Sequence, residues 1–146
     1  SPGWQVSMAA ARLSEDFTRL ISKPIQLFLA KDPDWTDRGV TDGPYLYRTD
    51  SGDLLMIWSN FSHKGYVVAI AKSDNGEITG KWSQEKLLYQ QGLNERCLRD
   101  GGHGSIFRRK DGTYMLSLHS PQSLQAGEEE RLLLLPIREK DGTIEI

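Results

Sequence analysis

Short apolar runs separated by polar, glycine-bearing turns recur along the chain. Their period is that of a strand, not of a helix. Leu54 to Trp58 (LLMIW) lies between Ser51-Gly52-Asp53 and Ser59-Asn60 and reads as a buried strand. Tyr66 to Ala71 (YVVAIA) is another. It ends at Ser73-Asp74-Asn75-Gly76, where Asn-Gly between two runs signals a tight hairpin. Ser105 to Arg109 turns at Lys110-Asp111-Gly112 into Tyr114 to His119. Arg131 to Arg138 is the last long run, and Lys140-Asp141-Gly142 returns it through Thr143 to Ile146. Helical periodicity is nearly absent: Ser14 to Leu20 (SEDFTRL) fits one helical turn capped by Ser14, and equally a plain turn.

The runs repeat. Pro44 to Trp58 (PYLYRTDSGDLLMIW) aligns without a gap on Gly104 to Leu118 (GSIFRRKDGTYMLSL), at an offset of 60 set by Gly52 and Gly112. Ala11 to Asp16 (ARLSED) and Ala71 to Gly76 (AKSDNG) give the same offset independently. Each unit supplies two hairpins and no helix, the pattern of propeller blades. A lone four-stranded blade cannot cover both of its apolar faces, so its neighbours must. The expected fold is therefore all-β. It is a partial β-propeller of about two and a half four-stranded blades of roughly 60 residues each. Positions 1–40 hold the outer hairpin of one blade (Ser7 to Lys23) and a connecting loop, 41–100 a blade, and 101–146 another. Propellers take about four to eight blades. The unit is thus incomplete alone, and a missing N-terminal half or another copy of the chain would close the ring. An open stack would leave apolar faces and unpaired edges exposed.

Composition narrows the partners. The 146 residues are 38% hydrophobic and 26% charged, which suits one globular domain with a real core. A formal net charge of −2 argues against a nucleic-acid partner, and the longest apolar run, Leu132 to Leu135, argues against a membrane span. The single cysteine, Cys97, forms no internal disulfide and reads as an unreactive thiol. Ser1 to Trp4 shows neither a basic start nor an apolar signal core, so the compartment is left open.

The first strand of each blade lines the central channel of a propeller, and its entrance residues converge. The repeat puts Asp42-Gly43-Pro44 and Gly102-His103-Gly104 at equivalent entrances, with the carboxylate and the imidazole one residue apart in register. Both are expected at one channel mouth. Here VTDGPYLYR, LLMIWSNF, GYVVAIAKSDNGEITGKWSQ and DGGHGSIFRRKDGTYMLSLHSP resemble the C-terminal half of glycoside hydrolase family 43. The upstream LSEDFTRLISKP and LFLAKDPDW extend the resemblance over nearly the whole chain. The resemblance implies a five-bladed propeller that hydrolyses arabinose- or xylose-containing polysaccharides with inversion. Such an enzyme works with a carboxylate base, a carboxylic acid and a third carboxylate that tunes the acid. Base and acid then stand roughly 6.5–9.5 Å apart. The family's acid is a Glu followed by a small residue and Pro; Asp42 occupies that seat and is one methylene shorter. The other two carboxylates belong to blades without a counterpart here, and Asp32 and Asp34 of KDPDW do not match the base motif. The resemblance thus implies that the chain alone lacks the base.

His103 matches a channel histidine near a central cation, so the resemblance implies a calcium ion there, contacted through water. The bland alternative is a histidine hydrogen-bonded in a glycine turn. Trp35, in a polar loop before the entrance, is the best candidate for stacking on a sugar, with Gly43, His103 and Arg108 as further substrate contacts. Trp58 reads as core and Trp82 as filling between blades. Ser59, Asn60 and Phe61 read as the far end of a blade or a turn. His63 and His119 read as surface or turn residues, and Glu128 to Arg131 as a solvated loop. Two further readings stand beside hydrolysis: a carbohydrate-binding propeller piece that uses Asp42 as an acceptor, and a half-propeller that self-associates.

Overall fold

A computed structural model describes residues 5–121 and 129–146. Every element in it is a strand, and all pairing is antiparallel. β1 (Ser7–Ala10) pairs with β2 (Ile25–Leu29) as a two-stranded hairpin. β3 (Asp42–Arg48), β4 (Leu54–Ser62), β5 (Gly65–Ser73) and β6 (Trp82–Tyr89) form one sheet in sequence order. β7 (Gly102–Arg108), β8 (Tyr114–Pro121), β9 (Glu130–Lys140) and β10 (Thr143–Glu145) form a second. The chain is therefore part of a propeller: a half-blade followed by two whole blades.

The apolar run of β4 does not alternate because both of its faces are covered. Leu55 and Ile57, with Val68 and Ile70 of β5, face the last sheet and pack with Ile106, Leu116, Leu118, Leu135 and Ile137. Met56 and Trp58, with Ala69 and Ala71, face the hairpin and pack with Met8 and Phe28. β9 shows the opposite case. Leu133, Leu135 and Ile137 join the core, while Leu132 (70%) and Leu134 (44%) point outward and are exposed. The outer face of the last sheet thus exposes three large apolar side chains, Phe107, Leu132 and Leu134.

The sequence repeat is a repeat of backbone. In β3 one extra residue sits between the Asp42–Ser59 and Tyr45–Ile57 pairs, and in β7 one sits between Gly102–His119 and Ser105–Ser117. These are the same β-bulge, and its left-handed residue is Gly43 (φ 51°) in one blade and His103 (φ 54°) in the other. At the other end of each strand, the Arg48 and Arg108 guanidinium groups donate to the carbonyls of Gly52 and Gly112 in their own turns.

One open alternative is decided and one local expectation needs adjustment. Ser14 to Leu20 is the tip of a hairpin, closed by the Ser14 N–H to Arg19 carbonyl bond and the Leu13–Leu20 bridge; no helical turn forms. The Asn75-Gly76 pair is not a two-residue hairpin. Asp74 N–H donates to the Lys81 carbonyl across a longer loop, in which Asn75 Oδ1 accepts from Glu77 N–H. Cys97 is buried and burial raises its thiol pKa, as suits an unreactive side chain.

Candidate functional site

The bulges decide what meets at the mouth. The left-handed turn at Gly43 swings its N–H onto Asp42 Oδ1 at 2.8 Å. It also brings Gly43 so close to His103 that a Cβ there would lie 2.8 Å from His103 Cα. The matching turn at His103 presents its backbone N–H to Ser59 Oγ at 2.8 Å and its Nδ1 to Asp42 Oδ1 at 3.4 Å. The two entrances therefore bring the carboxylate and the imidazole, sixty positions apart, into contact at one mouth. Both remain accessible, with side chains 45% and 59% exposed.

The second Asp42 oxygen is taken by a residue the sequence reading did not single out. The Tyr66 hydroxyl donates to Asp42 Oδ2 at 2.5 Å. This phenol bond is the largest influence holding the Asp42 carboxyl below the usual carboxylate range. The Gly43 N–H and His103 add to it, and burial opposes them. Tyr66 responds in the opposite sense: burial first, then the bond to Asp42, pushes its phenol up.

Two assignments change here. Ser59 was expected at the far end of the blade or in a turn. It pairs with Asp42 across the sheet, fully buried, because β4 runs back to the mouth. Asn60 beside it holds the carbonyls of Ala30 and Arg38, fixing the loop that leads to Asp42. His119 was expected on the surface or in a turn, and its side chain is indeed exposed, but at the mouth and not in a turn. It lies in β8 opposite Gly102, its ring 5.5 Å from Tyr66 and 6.3 Å from His103, with Nδ1 3.1 Å from Glu130 Oε2. The repeat carried a signal for this, since Ser59 and His119 occupy equivalent positions.

The remaining candidates fall elsewhere. Trp35 is half-buried with its ring 5.6 Å from Trp58, in the core between the hairpin and the first sheet. Trp82 packs on Phe28 in the same seam. Arg108 ends β7, roughly 17 Å of strand beyond His103. There it bonds to Gly112 and lies over the Tyr114 ring, so as a substrate contact at this mouth it is ruled out by position. Of the expected charged loop, Glu128 lies outside the described residues. Glu130 and Arg131 belong to β9, and Glu129 pairs with Arg131.

A calcium ion is tested by the donors present. Calcium takes six to eight oxygens. Among the described residues no three His, Cys, Asp or Glu side chains converge on a point. His103 and an already three-bonded Asp42 do not amount to such a set, so the described residues alone do not complete a calcium shell, and an ion beside His103 would take its remaining ligands from water or from other blades.

The geometry can be set beside known proteins. No family model and no curated protein matches the sequence. Solved structures do. An endo-arabinase from Bacteroides thetaiotaomicron VPI-5482 is 35% identical, with 93% of this chain and 48% of that one covered at a TM-score of 0.76. The likeness is to glycoside hydrolase family 43. A thermostable family-43 glycoside hydrolase shares 16% identity over 95% of this chain and 46% of its own, at a TM-score of 0.75. An α-L-arabinofuranosidase from Lactobacillus brevis shares 19% over 97% and 47%, also at 0.75. These two show the fold alone. The chain spans about half the length of these three structures.

Proposed function

We propose that the chain is part of a family 43-type glycoside hydrolase acting on arabinose- or xylose-containing oligo- or polysaccharides, with inversion. In this reading Asp42 occupies the general-acid seat. The observation that carries it is the 35% identity to an endo-arabinase over nearly the whole chain. The converging Asp42, Tyr66, His103 and Ser59 supply a polar mouth for it. The base is not among the residues gathered here, so it comes from further blades. Those blades, or a second copy of the chain, would cover the apolar face of Phe107, Leu132 and Leu134 and so close the ring.

An acid must carry a proton when substrate arrives, and Asp42 as held here is ionised at neutral pH. A second carboxylate brought close and exclusion of water by bound sugar both raise a carboxyl pKa, and the completed ring would have to supply them. The low pKa favours one alternative: a carbohydrate-binding propeller piece in which ionised Asp42 accepts hydrogen bonds from sugar hydroxyls.

The test is aryl-pentoside hydrolysis and arabino-oligosaccharide binding by the chain, with Asp42→Ala and Asp42→Glu beside it. The chain alone is expected to bind and not to turn over. In an assembled ring, Asp42→Glu holds or raises activity if Asp42 is the acid. A pure binding role instead weakens sugar binding in both variants. Absence of any pentose binding by the wild-type chain and by the ring would refute both readings.

A further inference from the structure

We propose that Tyr66 is the positioning residue that fixes the Asp42 carboxylate at the mouth, and that glycine at position 102 exists to admit its ring. This rests on the reading above that Asp42 faces a sugar. An aspartate has one methylene fewer than a glutamate, so it cannot reach and adjust; its carboxylate must be held where it is needed. The hydroxyl of Tyr66 meets Oδ2 at 2.5 Å, while Gly43 N–H and His103 meet Oδ1. All of the carboxylate is thereby oriented, and its rotation is locked.

Tyr66 can do this because it is itself held at every level. Its backbone N–H reaches Asp100 Oδ2 at 3.4 Å, and its carbonyl accepts from Gly101 N–H at 3.1 Å. Its ring lies between Phe61 (4.8 Å) and His119 (5.5 Å), and Glu130 in turn holds His119. The ring packs so tightly on β7 that a Cβ at Gly102 would lie 2.1 Å from Tyr66 Cε1. Preorganised groups of this kind spare a site the cost of ordering at the moment of binding.

The experiment is NMR of the full chain with labelled Tyr and Asp, comparing wild type with Tyr66→Phe. The Phe variant keeps the ring and removes only the hydroxyl oxygen. Wild type is expected to show a far-downfield hydroxyl proton assigned to Tyr66 and a single Asp42 χ1 conformer. Tyr66→Phe loses the resonance and gives averaged Asp42 couplings, with a thermal midpoint close to wild type. A merely packing role for Tyr66 leaves Asp42 unmoved, and that outcome overturns the proposal. Should Tyr66→Phe fail to fold, Asp42→Ala reports from the other side: the downfield proton must vanish, and its persistence also overturns the proposal. These readouts need no sugar, so failure of the glycosidase reading and failure of this one are separable. If wild type binds a pentose oligosaccharide, Tyr66→Phe is expected to weaken it by about tenfold.

Discussion

The entrances of β3 and β7 are built on one backbone and furnished differently. Each carries the same bulge, a left-handed residue at the same position, and an arginine clasping the turn at the strand's far end. In β3 the left-handed position holds glycine and the residue before it holds the carboxylate. In β7 the left-handed position holds a histidine and the residue before it is glycine. The repeat thus specifies a frame. Chemistry enters where the two copies differ, because a side chain added at one entrance needs space surrendered at the other. Gly43 makes way for His103, and Gly102 makes way for Tyr66.

That reciprocity can be broken from either side. Gly102→Ala is expected to do the larger damage. Its Cβ meets the Tyr66 ring at 2.1 Å, and the ring cannot step aside because Phe61 and His119 flank it. Overpacking costs about 1–3 kcal/mol and occasionally more, and so short a contact puts this case at the upper end, readable as a lowered denaturant midpoint. Gly43→Ala is expected to cost less, about 1–2 kcal/mol for an alanine placed in the left-handed region. Its Cβ would also meet His103 Cα at 2.8 Å, a backbone contact that movement of the imidazole does not relieve, but the overlap is smaller than the 2.1 Å at Gly102. If the order of the two midpoints is reversed, the entrances are not related as described.

His103→Gly sharpens the comparison by making the β7 entrance conform to β3. The histidine is held at φ 54°, a conformation that glycine adopts freely. Relief of this strain offsets the greater freedom of glycine in the unfolded chain. The variant is therefore expected within about 1 kcal/mol of wild type, while a non-glycine residue bears a cost of that order for its left-handed backbone. Equal stability with weaker sugar binding would mark His103 as a residue kept for its side chain. A loss well beyond that range would show the imidazole to be part of the framework.

The frame was legible in the sequence and its contents only partly so. The blade count, both sheets and the meeting of Asp42 with His103 follow from an offset of 60, because backbone repeats leave glycines and apolar residues at fixed spacing. Tyr66 was not legible. It opens an apolar run, and nothing in YVVAIA distinguishes a core tyrosine from one whose hydroxyl reaches a carboxylate on another strand. Ser59 and His119 were missed for a related reason: without the bulges, the returning strands cannot be registered against the entrances. Arg108 was misplaced because it sits at the opposite end of β7 from His103, with the length of the strand between it and the mouth.

The smallest effect tests the charge on Asp42 itself. Its carboxyl pKa is lowered in the folded chain, chiefly by the Tyr66 hydroxyl, then by Gly43 N–H and His103. A group of this kind adds stability above its unfolded pKa of about 3.9, and the gain disappears as pH falls through the lower folded value. Asp42→Asn is therefore expected to be slightly less stable than wild type at neutral pH and to converge on it only in acid, below about pH 4. The contribution is small because the side chain is nearly half exposed and solvent screens it. No β7 residue offers a matching carboxylate, since Gly102 stands in the equivalent place, so the difference reports on the β3 entrance alone. A stability gap between Asp42→Asn and wild type that stays constant from neutral pH to pH 2 would mean that the Asp42 pKa is the same in the folded and unfolded chain, so that Tyr66, Gly43 N–H and His103 do not favour its charge. The frame would then stand, but the polar mouth would have no hold on the charge of its carboxylate.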